Sequence, residues 1–191
     1  MPKLNNKNRG IALSGLITKH DLKFGAELGV WMGDTFKYLI ENHDDLNMIG
    51  VDAYMEMPNN DGKASEKYLK SDPKNDWDHE KHYNNMLEFC KQYPDRTKII
   101  RDLTDNACKM VDDESLDFIF VDAHHTEKSV YSDLKNWIPK VKIGGFLTGD
   151  DYHPYWDGVV RAVNRVFGGK NINKLNDSIW YIKKEKNNYF E

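Results

Sequence analysis

The stretch SLDFIFVDA (115–123) carries apolar residues on both of the faces that a β-strand presents. A strand with one wet face alternates apolar with polar residues, whereas a strand covered by helices on both sides does not. This stretch therefore belongs at the centre of a parallel sheet, and the rest of the chain is punctuated to match. The runs KFGAEL (23–28), LNMIGVDAY (46–54), TKIIRD (97–102) and GGFLTGDD (144–151) read as further strands. Between them DTFKYLIENH (34–43), DHEKHYNNMLEFCKQY (78–93), NACKMV (106–111), EKSVYSDLKNWI (127–138) and GVVRAVNRVFG (158–168) read as helices, the fourth stopped by Pro139 and the last by its glycine. SIWYIKK (178–184) is a final strand with alternating faces. Repeated strand–helix units of this length predict an α/β fold, a doubly wound sheet with right-handed crossovers.

At 191 residues the chain fits one domain, with residues 1–22 as a helical extension ahead of the first strand. The polar segment 54–78, with Pro58, Gly62 and Pro73, is too long for a tight connection and is expected to be a lid or binding loop, with Trp77 favouring order. A net charge of −4 without a basic run argues against a nucleic-acid or membrane-surface partner. No apolar run approaches the ~18 residues of a membrane span. MPKLNNKNRG lacks the apolar core of a signal peptide, so a cytoplasmic location is expected. Cys90 and Cys108, far apart and without metal-type neighbours, fit reduced thiols.

Ligands in such sheets bind at the carboxyl ends of the strands, near the point where the strand order reverses. Those ends carry Glu27, Asp52, Asp102, Asp122 and the pair Asp150–Asp151. One such acid is an ordinary helix cap or loop residue; five strands that each deliver a carboxylate to one rim call for a ligand. The turn FGAELGVWMGDT spaces Gly25, Gly29 and Gly33 by four, so the dinucleotide pattern G-x-G-x-x-G is absent, and Glu27 would repel a pyrophosphate. A cofactor with a cationic centre and no phosphate resolves the conflict. S-adenosylmethionine (SAM) has a sulfonium and an ammonium group; Gly29 and Gly33 would let the backbone approach it and Glu27 would favour its cationic end. Asp52 is placed to accept hydrogen bonds from ribose hydroxyls. Asp102 and Leu103 are placed to border the adenine. Tyr54 either packs on that ring or is a half-buried loop aromatic.

Asp122 ends the fourth strand, and Asp150 and Asp151 end the fifth. Adjacent strands lie about 4.8 Å apart, so the three carboxylates can converge on one ion. Without a cation they would repel one another. Oxygen donors suit Mg²⁺, Mn²⁺ or Ca²⁺ better than zinc. The alternative is that Asp151 caps the next helix and Asp122 faces the cofactor without a metal.

The motifs AELGVWMGDT, IGVDAY and LDFIFVDAHHTEKSVYSDLKNWIPKVKIGGFLTGDDY together resemble a class I SAM-dependent methyltransferase, nearest the metal-dependent macrocin-type and aminocoumarin-sugar O-methyltransferases. The resemblance runs from about residue 23 to 165. It implies a seven-stranded, mostly parallel Rossmann-like sheet whose last strand is antiparallel. It implies a metal site at Asp122, Asp150 and Asp151, with Asp122 also bordering the cofactor. It implies a general base two or three positions past Asp122, where His124 and His125 both stand. His125 is slightly favoured, one step further into the loop, with His153 in reserve. Tyr152, Tyr155 and Trp156 either wall the acceptor or pack in the core. The implied partner is a small molecule that offers a hydroxyl, a sugar or glycosylated metabolite; self-association into a homo-oligomer is left open. The competing readings are an NAD-dependent oxidoreductase on a similar sheet and a methyltransferase-like binding subunit without catalysis.

Overall fold

The computed structural model describes residues 6–56, 78–169, 172–176, 178–186 and 189–190. Most of the expected lid, residues 57–77 including Trp77, lies outside them. The strands are β1 (Phe24–Leu28), β2 (Asn47–Asp52), β3 (Thr97–Arg101), β4 (Leu116–Val121), β5 (Val141–Gly149), β6 (Asn173–Lys174) and β7 (Trp180–Lys183). They form one seven-stranded sheet in the order β3-β2-β1-β4-β5-β7-β6. β1 to β5 are mutually parallel, and β7 runs antiparallel to both β5 and β6. The expected seven-stranded architecture is present; the two-residue β6 is the one strand whose place its few polar residues do not announce.

The helices are α1 (Asn6–His20), α2 (Asp34–Asn42), α3 (His79–Cys90), α4 (Thr104–Ala107), α5 (Glu127–Trp137) and α6 (Asp157–Phe167). β4 shows why both faces are apolar. Phe118 and Phe120 pack with Leu13, Leu16 and Ile17 of α1 and Phe36, Leu39 and Ile40 of α2. Ile119 and Val121 pack with Leu134 and Trp137 of α5 and Val163 of α6. Between α4 and α5 the Thr104 hydroxyl donates to the carboxylate of buried Asp133 at 2.5 Å. Cys108 is buried and Cys90 half-buried, and both are free thiols. No helix among the described residues is long and apolar enough to cross a membrane.

The order of strands reverses at β1. Glu27 pairs with Gly50 of β2 on one side and Phe120 of β4 on the other. The carboxyl ends of β1, β2, β4 and β5 thus meet at one edge, and the acids that end them are brought together there.

Candidate active site

The turn after β1 is fixed by the chain's own backbone. Gly29 has φ +88, and a Cβ there would lie 2.2 Å from the carbonyl oxygen of Asp122. The close approach at this glycine is made by the loop after β4. Asp52 Oδ2 accepts hydrogen bonds from the amides of Val30 (2.9 Å) and Trp31 (2.8 Å), and its Oδ1 accepts from the amide of Tyr54 (2.7 Å). Trp31 and Tyr54 both have positive φ, 48° and 46°. Such backbones persist where the surroundings over-determine them, and the Asp52 carboxylate does so here. Three of its roughly four lone-pair positions are taken by amides, which leaves one for a further donor. Gly33 precedes α2 with φ +80 and lies under the sulfur of Met86.

Glu27 is 2% exposed, and its Oε2 has no hydrogen-bond partner among the described residues. Burial, reinforced by the charge of Asp122 and opposed by Arg9, holds its pKa well above the ordinary value. A buried carboxyl with an unmet acceptor fits a ligand that brings positive charge or donors, as the ammonium and sulfonium of SAM do. The rim beyond β3 is more open. Asp102 Oδ1 accepts from the amide of Leu103 (2.7 Å) and from Asn106 Nδ2 (3.0 Å), just ahead of α4. These bonds, Asn106 first, lower its pKa. Leu103 is an exposed apolar residue. Tyr54 is buried with its ring 5.3 Å from that of Tyr83, so contact with an adenine would require that packing to open.

The late acids cluster tightly. The amide of Asp122 donates to Leu28 and that of Asp150 to Val121, which ties the ends of β1, β4 and β5 together. Asp151 follows with φ +60. His125 Nε2 lies 2.7 Å from Asp151 Oδ2 and 3.9 Å from Asp122 Oδ1. Its ring stacks on Trp156, centroid to centroid 4.3 Å. Burial alone would lower the pKa of this imidazole, but the carboxylates of Asp122 and Asp151 outweigh it and push it up to about 10. His124 turns the other way, with Nδ1 3.3 Å from Ser129 Oγ beside the N-cap Thr126 of α5. Of the two adjacent histidines, the loop delivers one to the acids and one to the helix start. His153 is exposed and caps the short turn Pro154–Trp156. The Tyr152 hydroxyl donates to Asn164 of α6 (2.7 Å), away from the acids. Tyr155 stands exposed at the edge of Trp156.

Arg9 of α1 was not among the residues that the motifs single out. Its Nη1 pairs with Asp122 Oδ2, and its Nε lies 2.7 Å from Asp150 Oδ2. Asp150 Oδ1 accepts from the hydroxyl of Ser178 at 2.6 Å. Burial, then the charge of Asp122, raises the Asp150 pKa, and Arg9 works against both. The signal for Arg9 is helical spacing: Arg9, Leu13 and Leu16 stand at i, i+4 and i+7, one face of one helix. Donor atoms of Asp122, His125 and Asp151 lie within 4.8 Å of one another. Two carboxylates and an imidazole fit a divalent cation. Asp150 belongs to the same cluster, but both its oxygens are engaged by Ser178 and Arg9.

Residues 26–152 match a family model described as a methyltransferase domain. The chain belongs to that methyltransferase-domain family. A search of curated proteins returns no match. Among solved structures the fold is shared by the O-methyltransferase from Bacillus cereus in complex with SAH, at 13% identity and a TM-score of 0.62, over 95% of this chain and 83% of that one. It is shared by the O-methyltransferase NovP at 17% identity and a TM-score of 0.61, over 95% and 79%. The SAH-bound methyltransferase PaMTH1 of Podospora anserina aligns at 17% identity and a TM-score of 0.63, over 97% and 83%. At these identities the likeness establishes the fold.

Proposed function

We propose that this methyltransferase-domain protein is a SAM-dependent, divalent-metal-dependent O-methyltransferase that acts on a hydroxyl of a small molecule, a sugar or glycosylated metabolite. The observation that carries the reading is the placement of His125 against Asp122 and Asp151, on the same rim as buried Glu27, whose Oε2 has no hydrogen-bond partner among the described residues. Glu27 would face the cationic end of SAM, and Asp52 would meet the ribose with its remaining lone pair. SAM supplies an electrophilic methyl carbon. A divalent cation held by Asp122 and Asp151, with Asp150 as a third carboxylate, would lower the pKa of an acceptor hydroxyl.

His125 is the base in this reading. Its Nε2 faces the acids, and Trp156 and Asp151 hold the ring in place. With a pKa near 10 the ring carries a proton at neutral pH; positive charge beside Asp122 and Asp151 lowers that pKa by the same electrostatics that raised it. His124, bonded to Ser129, would position the start of α5. The sugar assignment rests on the macrocin-type and aminocoumarin-sugar resemblance of the motifs. Nucleotide-linked sugar, polysaccharide sugar and glycosylated natural product all satisfy it.

The NAD-dependent alternative is not favoured: the turn after β1 lacks the dinucleotide pattern, and Glu27 is buried in it. A titration of tryptophan fluorescence with SAM, its demethylated product and NAD tests the cofactor. Saturation by the first two and not by NAD is expected; saturation by NAD alone would sink the reading. Methyl transfer to a panel of sugar hydroxyls, with Mg²⁺ and with a chelator, tests the rest. SAM binding without turnover on any acceptor would favour a non-catalytic binding subunit.

A further inference from the structure

Arg9 holds one oxygen of each of two carboxylates. Asp150 gives Oδ1 to Ser178 and Oδ2 to Arg9 Nε. Asp122 gives Oδ2 to Arg9 Nη1 and turns Oδ1 toward His125. The guanidinium therefore spans the ends of β4 and β5, where a cation shared by those two acids would have to sit. It does not reach there from a loose arm. Leu13, Leu16 and Ile17 seat α1 in the core, and α1 presses on α2 so closely that a Cβ at Gly10 would lie 2.5 Å from Tyr38 Cδ1. The Arg9 backbone is thus held, and any exchange with a cation falls to its side chain.

We propose that Arg9 is the resident counter-ion of this site: its guanidinium and a divalent cation compete for the same oxygens of Asp122 and Asp150, so that Arg9 sets the affinity and the ligand set of the cation. Two positive groups on one carboxylate repel strongly in a partly buried site. With Arg9 in place, a cation has Asp122 Oδ1 and Asp151 as carboxylate donors; with Arg9 swung out, Asp150 joins them. Arg9 also explains how Asp122, Asp150 and Asp151 can stand together before a cation arrives, which three unneutralised carboxylates could not do. The proposal rests on the reading above that the site takes a divalent cation, and the test separates the two.

The test is calorimetric titration of Mn²⁺ into the full chain, wild type, Arg9→Met and Arg9→Lys, with folding of each checked by thermal melting. Arg9→Met should bind Mn²⁺ about tenfold tighter or more than wild type, because one competing charge is gone. Arg9→Lys, which keeps a charge but cannot bridge two carboxylates, should fall between, and it carries the test if Arg9→Met does not fold. Adding Asp150→Asn should then weaken Mn²⁺ binding by a larger factor in the Arg9→Met background than in wild type. Equal or weaker binding by the folded Arg9 variants would overturn the competition and leave the cation reading standing. No binding by any of the proteins at millimolar Mn²⁺ would overturn both.

Discussion

His125 Nε2 stands 2.7 Å from the carboxylate of Asp151, a residue that the chain holds at φ +60. A non-glycine residue in that region is strained, and here the strain turns a carboxylate toward an imidazole. The carboxylates of Asp122 and Asp151 together set the protonation of the ring. Its folded-state pKa, about 10, lies above the ordinary 6.5. The stabilisation it contributes is therefore complete below about pH 6.5 and is lost as pH rises through about 10. His125→Gln should lack this slope. Thermal melts between pH 6 and 10.5 should show wild type and variant converging at the alkaline end. Turnover of the variant should fall by roughly 10²–10⁴-fold, the usual contribution of a positioned base.

On the proposed division, in which the late acids hold the cation and the early acids the cofactor, Asp150→Asn should lower metal-dependent turnover while SAM affinity stays within about twofold. The Asn amide also meets the Arg9 guanidinium with half the acceptor capacity and no charge. Turnover assays beside fluorescence titrations measure the two quantities on one sample. Equal loss of both would refute that division.

Asp52→Ala should weaken SAM binding at least tenfold and also lower stability by about 1–3 kcal/mol, because the amides of Val30, Trp31 and Tyr54 lose their acceptor. Denaturant unfolding and a SAM titration report the two effects. Unchanged affinity would remove Asp52 from the ribose.

Asp133 predicts a pH effect remote from the rim. Burial, offset in part by the Thr104 hydroxyl and reinforced by the charge of Asp105, pushes its pKa up to about 7 from the ordinary 3.8. The folded state thus favours the protonated acid, so this contribution is full below about pH 4, declines as pH rises to about 7, and stays low beyond. Asp133→Asn should match wild type at pH 4 and exceed it by about 1–3 kcal/mol at pH 8. Urea unfolding at the two pH values would show it.

The sheet is legible in the sequence because a central parallel strand has no wet face, and LDFIFV announces that without help from neighbours. The acids that end the strands are legible for a related reason: the fold places them by register, so locating the strands locates them. What sequence does not carry is the direction of a side chain within the rim. His124 and His125 are adjacent and chemically identical, and only the start of α5, with Thr126 and Ser129, decides which one turns away. Tyr152 follows two rim acids and yet bonds to Asn164 of α6. Arg9 lies more than a hundred residues from its carboxylates, and no local pattern links them; the helical spacing of Arg9 with Leu13 and Leu16 gives its face but not its destination.

Glu27 has a consequence for how cofactor binding is measured. A carboxyl held well above its ordinary pKa by burial is poised to keep its hydrogen until something cationic settles beside it. Association with a sulfonium should then expel that hydrogen into the medium. The heat of association would differ between phosphate and Tris in proportion to their ionisation enthalpies, and the difference would disappear in Glu27→Gln.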